Sequence, residues 1–130
     1  MSDYTIKSLK EIEDMAPRFG FAPDLEARFA GKSLGLERSG LSYQRLAPGF
    51  RMPFGHRHEQ QEEVYVLVSG SGRVKLDDEV VEVKQWDAVR VAKGTMRAFE
   101  AGPEGMELIA FGAPNTGLQD AEQAPGWWTD

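Results

Sequence analysis

Hydrophobic and polar positions change period along the chain. Before Leu34, Ile6, Leu9, Ile12 and Met15 recur every third residue with charges between them. That spacing predicts a short amphipathic helix over residues 5–15, ended by Pro17 and Gly20. Asp24 is suited to cap a second short helix running to Phe29, with Pro23 before it and Gly31 after it; Leu25 and Phe29, four apart, would share its buried face. Residues 1–33 are therefore expected to form an N-terminal arm with short helices. From Leu34 onward the period is two. Strands are predicted over Leu41–Leu46, Val64–Val68, Arg73–Leu76, Val80–Lys84, Ala88–Ala92, Arg97–Glu100 and Glu107–Phe111, punctuated by Gly and Pro turns such as Pro48-Gly49, Gly70-Ser71-Gly72 and Lys93-Gly94. No helical crossovers separate these strands, so residues 34–111 read as an antiparallel sandwich or barrel. Residues 112–130, with Pro114, Asn115, Gly117, Pro125 and Gly126, read as an irregular C-terminal tail. Its Trp127-Trp128 pair is expected to dock on the barrel or on a partner subunit, because two indoles in water would be a liability.

The 130 residues suit one core, and a 41% hydrophobic, 28% charged composition is ordinary for a globular domain. Charge changes the picture more. The net charge is −6, and residues 61–130 carry thirteen acidic against six basic side chains, with no Lys or Arg after Arg97. Such a surface repels phosphate backbones, so no nucleic-acid partner is expected. No cysteine is present, which excludes disulfides, thiol catalysis and zinc–thiolate sites. No apolar run approaches the roughly 20 residues of a membrane helix. The N-terminus lacks a charged segment followed by an apolar run. A cytoplasmic protein with no membrane partner is the expectation.

The chemistry concentrates around the two histidines, His56 and His58. In a strand, alternate residues face the same side, so both imidazoles can converge on one point. A short hairpin turn through Glu59, Gln60 and Gln61 can bring Glu63 beside them. Two imidazoles and one carboxylate form a facial ligand set suited to Fe(II), Mn(II), Ni(II) or Zn(II), with positions left open for a substrate. The same three residues can also be ordinary hydrogen-bonding side chains that bind no metal, and both readings stay open. Tyr65 shares the parity of Glu63 and is a candidate to line the pocket. If Leu46 faces the core, Gln44 faces the same way and can reach a ligand.

The run from Gly49 to Gly70 resembles the first motif of the cupin superfamily: a glycine, a His-x-His pair, a glutamate after four intervening residues, and a glycine after six more. His56, His58, Glu63 and Gly70 match it; six residues rather than the usual five separate Gly49 from His56. The second motif, Gly-x5-Pro-x-Gly-x2-His-x3-Asn, falls on Trp86, Ala92, Gly94, Arg97 and Ala101, of which only Gly94 is kept. The resemblance covers about residues 40–111. It implies an all-β, cupin-like double-stranded β-helix (a jelly-roll barrel) carrying a short N-terminal helical arm, a small-molecule ligand in the barrel, and a homodimer.

In the family the second-motif histidine supplies a fourth metal ligand. Arg97 stands there and has no lone pair to give. Three placements are open: Arg97 leans aside over a three-ligand metal site and binds an anionic ligand; it replaces the metal and pairs with Glu63; or it faces solvent. The expectation is a small single-domain cupin binding a small molecule, of a kind that can be anionic, with a divalent metal on His56, His58 and Glu63, and with Arg97, Tyr65 and Gln44 as ligand-binding residues. The alternatives are a metal-free binding or sensor protein with a Glu63–Arg97 pair, or a structural protein with a vestigial site. Catalytic residues are not assigned. Dioxygenases, isomerases and decarboxylases share this fold, so fold alone does not choose a reaction.

Overall fold

The computed structural model describes residues 3–116 and 120–130. A single turn of 3₁₀ helix at Leu9–Glu11 and the four-residue helix α1 (Ala16–Phe19) lead into strand β1 (Leu25–Phe29), followed by the short helix α2 (Gly31–Leu34). The remaining strands are β2 (Gly40–Leu46), β3 (Phe54–His58), β4 (Glu62–Leu76), β5 (Glu79–Lys84), β6 (Ala88–Val91), β7 (Arg97–Ala113) and β8 (Ala121–Pro125). All eight join in one curled sheet. This is the all-β jelly-roll architecture that the cupin resemblance implies, and it agrees with the sandwich or barrel read from the period of two.

The arm differs from its expected form. Residues 5–15 hold a single 3₁₀ turn and, at Asp14, an isolated bridge to Arg28 rather than a helix. Pro17 sits in the first turn of α1, where its missing N–H is not needed, and left-handed Gly20 ends that helix. Residues 25–29 are a strand rather than a helix. Leu25 lies opposite Leu46 and Phe29 opposite Ser42, so the edge of β2 claims a segment whose composition favours helix. The tail also differs, because Ala121–Pro125 forms β8 against β3.

Two expected breaks, at Gly70-Ser71-Gly72 and between Glu100 and Glu107, are corners inside the long strands β4 and β7. β4 runs through Gly70-Ser71-Gly72, pairing along β7 with register shifts between Leu67 and Ser69 and between Gly70 and Gly72. These bulges bend both strands together. Gly70 has φ 78°, and a Cβ there would lie 2.0 Å from the Gly105 carbonyl oxygen, so no other residue fits. The shifts also reverse parity: Tyr65 and Leu67 face inward before the corner, Val74 after it. With Leu46, Val83, Val91, Phe99, Met106 and Leu108 they form the core.

Trp127 and Trp128 dock on the barrel. The Trp128 indole N–H donates to the Met52 carbonyl at 2.9 Å, and the Arg51 guanidinium lies 4.4 Å from its ring centroid. Trp127 lies flat against Gly55, where a Cβ would come within 2.8 Å of its ring. β8 and this Trp pair together form a strap along the outer edge of β3.

Candidate metal centre

β3 and β4 supply the site, but not as a hairpin. The two strands share no ladder; β3 pairs with β8 and, at His56 opposite Arg97, with β7, whereas β4 pairs with β5, β6 and β7. The turn over residues 59–61 therefore carries the chain across the barrel mouth, and Glu63 meets the histidines through the interior. Phe54, His56 and His58 alternate to the inner side of β3 while Gly55 turns its outer side to Trp127. The imidazole centroids are 5.2 Å apart and the rings stand edge to face at 89°. His58 Nε2 lies 3.7 Å, and His56 Nε2 3.9 Å, from Glu63 Oε1. One ligand atom from each of the three residues lies within 4.8 Å of the others, and this is the one such His–Glu group among the described residues. Gly112, opposite Glu63 on β7, makes room for the carboxylate arm: a Cβ there would come within 2.9 Å of Glu63 Cγ and 2.8 Å of Gln61.

Arg97 points inward and is 1% exposed. It donates through Nη2 to Glu63 Oε1, through Nε to the Tyr65 hydroxyl at 3.1 Å and through Nη1 to the Thr95 carbonyl at 3.0 Å. Tyr65 in turn donates to Glu63 Oε1 at 2.7 Å. Burial raises the Glu63 pKa, but the His56 ring, the Tyr65 hydroxyl and the Arg97 charge outweigh it and hold the carboxyl at about 2. Burial lowers the His56 pKa and prevails over the pull of Glu63, leaving a neutral imidazole at pH 7. Burial, with the nearby carboxylate, raises the Tyr65 phenol, which stays a neutral donor.

The structure thus brings Tyr65 and Arg97 onto Glu63. Gln44 is further off: it lies opposite Leu108, two inward positions along β7 from Gly112, and its amide donates to Ser42 Oγ at 3.4 Å. One site residue lies outside the sequence motif altogether. Asp120 Oδ1 accepts a hydrogen bond from His58 Nδ1 at 2.6 Å. Despite the cost of burial, the bonds from His58 and the Gln60 amide hold the Asp120 carboxyl at about 2. No motif spacing reaches it, because it follows the histidine by 62 residues.

The donor set fits a divalent cation. An ionised carboxylate oxygen and the Nε2 atoms of two imidazoles face one another, and the other nitrogen of His58 is anchored on a carboxylate, an arrangement common around metal-binding histidines. The same geometry shows that Arg97 engages the carboxylate oxygen nearest the histidines.

Comparison with known proteins agrees with this architecture. The family model described as "Cupin domain" matches residues 42–111, from β2 into β7. A search of curated proteins gives no match. Among solved structures, a cupin protein from Bacteroides fragilis is 24% identical, with a TM-score of 0.72 over 92% of this chain and 91% of that one. A variant of Streptomyces Pac13 with uridine is 19% identical, with a TM-score of 0.76 over 96% of this chain and 93% of that one; Pac13 is described as a nucleoside dehydratase. Oxalate decarboxylase from Bacillus subtilis is 21% identical, with a TM-score of 0.78; the match covers 95% of this chain but 32% of that longer one. With its family match spanning the barrel and its His-x-His and Glu63 on the inner wall, the chain belongs to the cupin family.

Proposed function

We propose that this protein binds a small, anionic molecule at the mouth of the barrel, on a divalent metal held by His56, His58 and Glu63. The observation that carries the reading is the convergence of the three ligand atoms within 4.8 Å. When bound, such a metal supplies Lewis acidity to a ligand oxygen in its open positions. Arg97 and Tyr65 fix the Glu63 carboxylate. With its N–H groups directed to neighbours inside the barrel, Arg97 favours an anion mainly through its charge. Tyr65, and Gln44 deeper along the wall, provide polar groups for orienting the ligand. Solved relatives are consistent with small ligands, since one holds uridine and another is named for oxalate. No helix among the described residues is long and apolar enough to cross a membrane; a cytoplasmic location is part of the proposal.

A second reading has its own support. Arg97 bonds to the same Glu63 oxygen that a metal would take, so the pair can satisfy the carboxylate without metal and leave a metal-free binding pocket. Metal analysis of untagged protein beside His56→Ala separates the two. Near-stoichiometric metal that is lost in the variant supports the metal centre. No metal in either protein, even after incubation with Fe, Mn, Ni and Zn, selects the ion-pair pocket.

We also propose a homodimer. Phe111 is 51% exposed on the outer face of β7, flanked by Leu41 of β2 and Val64 of β4, with Ile109 and Val66 in the next outward row. Light scattering should give twice the chain mass; a monomer would overturn the pairing.

A further inference from the structure

We infer that Asp120, brought in at the start of the C-terminal strand, is a positioning residue that holds His58 with its proton on Nδ1 and its bare Nε2 turned toward Glu63. Both Asp120 oxygens are fixed. Oδ1 receives the His58 ring at 2.6 Å, and Oδ2 receives the backbone N–H groups of Gln60 and Gln61 at 3.1 and 3.2 Å. The Glu59 N–H also donates to the Asp120 carbonyl at 3.1 Å. The turn that carries the chain from β3 to β4 is thus wrapped around this one residue. The contact is sheltered: the His58 and Asp120 side chains are 7% and 9% exposed.

An ionised carboxylate only accepts hydrogen bonds, so His58 Nδ1 must donate. In the neutral ring Nε2 is then a lone pair, 3.7 Å from Glu63 Oε1. Two acceptors facing each other at that distance make no hydrogen bond, and the arrangement is satisfied by a cation. β8 makes this possible, because its ladder with β3 begins at His58 opposite Ala121, next to Asp120. Docking of the strap and readiness of the ligand set are one event. The purpose of this poise rests on the metal reading above; the protonation pattern of His58 does not.

The test uses full-length, metal-free protein carrying nitrogen-15 histidine, observed by long-range proton–nitrogen NMR at about pH 8, where an ordinary imidazole is neutral. Wild type should show His58 as the Nδ1–H tautomer. In Asp120→Asn the side-chain oxygen can still accept from the turn while its NH₂ faces the ring, so the Nε2–H form should take over. Zn(II) affinity, measured by competition with a chromophoric chelator, should fall about 10- to 100-fold. Glu122→Gln, on the same strand but bonded to Arg57, should change neither. An Nε2–H tautomer in wild type overturns the inference, and so does an Nδ1–H tautomer that survives in Asp120→Asn or a Zn(II) affinity that ignores the switch. The wild-type spectrum decides even if the variant does not fold. Failure of wild type to bind Zn(II) removes the metal reading while the tautomer still decides the role of Asp120.

Discussion

Arg97 is the residue on which the site turns. A guanidinium that is 1% exposed is tolerable only because a carboxylate faces it, and Glu63 is equally dependent on the arginine. Breaking such a pair from one side costs more than removing both charges, because the survivor is left desolvated and unpaired. Arg97→Gln is therefore expected to destabilise the metal-free protein by about 3–5 kcal/mol. Glu63→Gln combined with Arg97→Gln should recover part of that loss, both read from urea unfolding. If the single variant is as stable as wild type, the ion pair is not a structural element. At this scale the sequence is legible wherever parity applies. His56, His58, Glu63 and Tyr65 sit on short strand segments, where alternation alone sends their side chains to the same interior. The inward placement of Arg97 is not legible, since it depends on the register between β3 and β7. Asp120 is still less so, because it comes from a distant, Gly- and Pro-rich stretch.

The strand β3 is the element that the strap keeps in place. Its ladder to β7 is one residue pair, while β8 lies along all five of its residues. The Trp127 indole closes over Gly55, so Gly55→Ala places a methyl group in occupied space and should displace the indole. Thermal or urea unfolding should show a loss of about 1–3 kcal/mol, and tryptophan fluorescence should shift toward that of a wetter indole. An unaltered fluorescence spectrum would refute the packing. The strand β8 shows what patterning misses. Ala121-Glu122-Gln123-Ala124-Pro125 contains no β-branched residue and ends in proline, so nothing local marks it as a strand; the open edge of β3 recruits it, and an edge strand tolerates proline. β1 is the counterpart: Leu25-Glu26-Ala27-Arg28-Phe29 reads as helix, and the pairing edge of β2 prevails over propensity. The central strands were legible because their β-branched runs and alternation agree with where they are buried. Their continuity through Gly70 and Gly102 was not, since a glycine that marks a bulge looks the same in sequence as one that marks a turn.

At the scale of the whole molecule, three buried or half-buried carboxylates share one response to acid. Glu26 is held at about 2, where bonds from Lys10, Arg28 and Arg45 outweigh its burial; Glu63 and Asp120 are held at about 2 as described. An unfolded chain would protonate the same groups nearer their ordinary values of 4.5, 4.5 and 3.8. The unfolded state then binds more protons, and native stability falls as pH drops. The stabilisation is fully present above the unfolded values and is lost progressively from about 4.5 down to about 2. Urea midpoints of the metal-free protein taken across that window should decline steadily, and Glu26→Gln, which leaves the pocket intact, should flatten the slope. A flat wild-type profile would contradict the proposed ion-pair network.

The pairing of β3 with β8 also orders events in time. During synthesis, both histidines leave the ribosome well before residues 121–125, which follow them by about sixty to seventy positions. Until that segment emerges, β3 lacks its principal hydrogen-bonding partner and His58 lacks Asp120. A nascent chain therefore carries His56, His58 and Glu63 before the strand and the carboxylate that hold His58 in place. On the proposed metal reading, loading follows the emergence of residues 121–125, once that strand has closed the edge of β3.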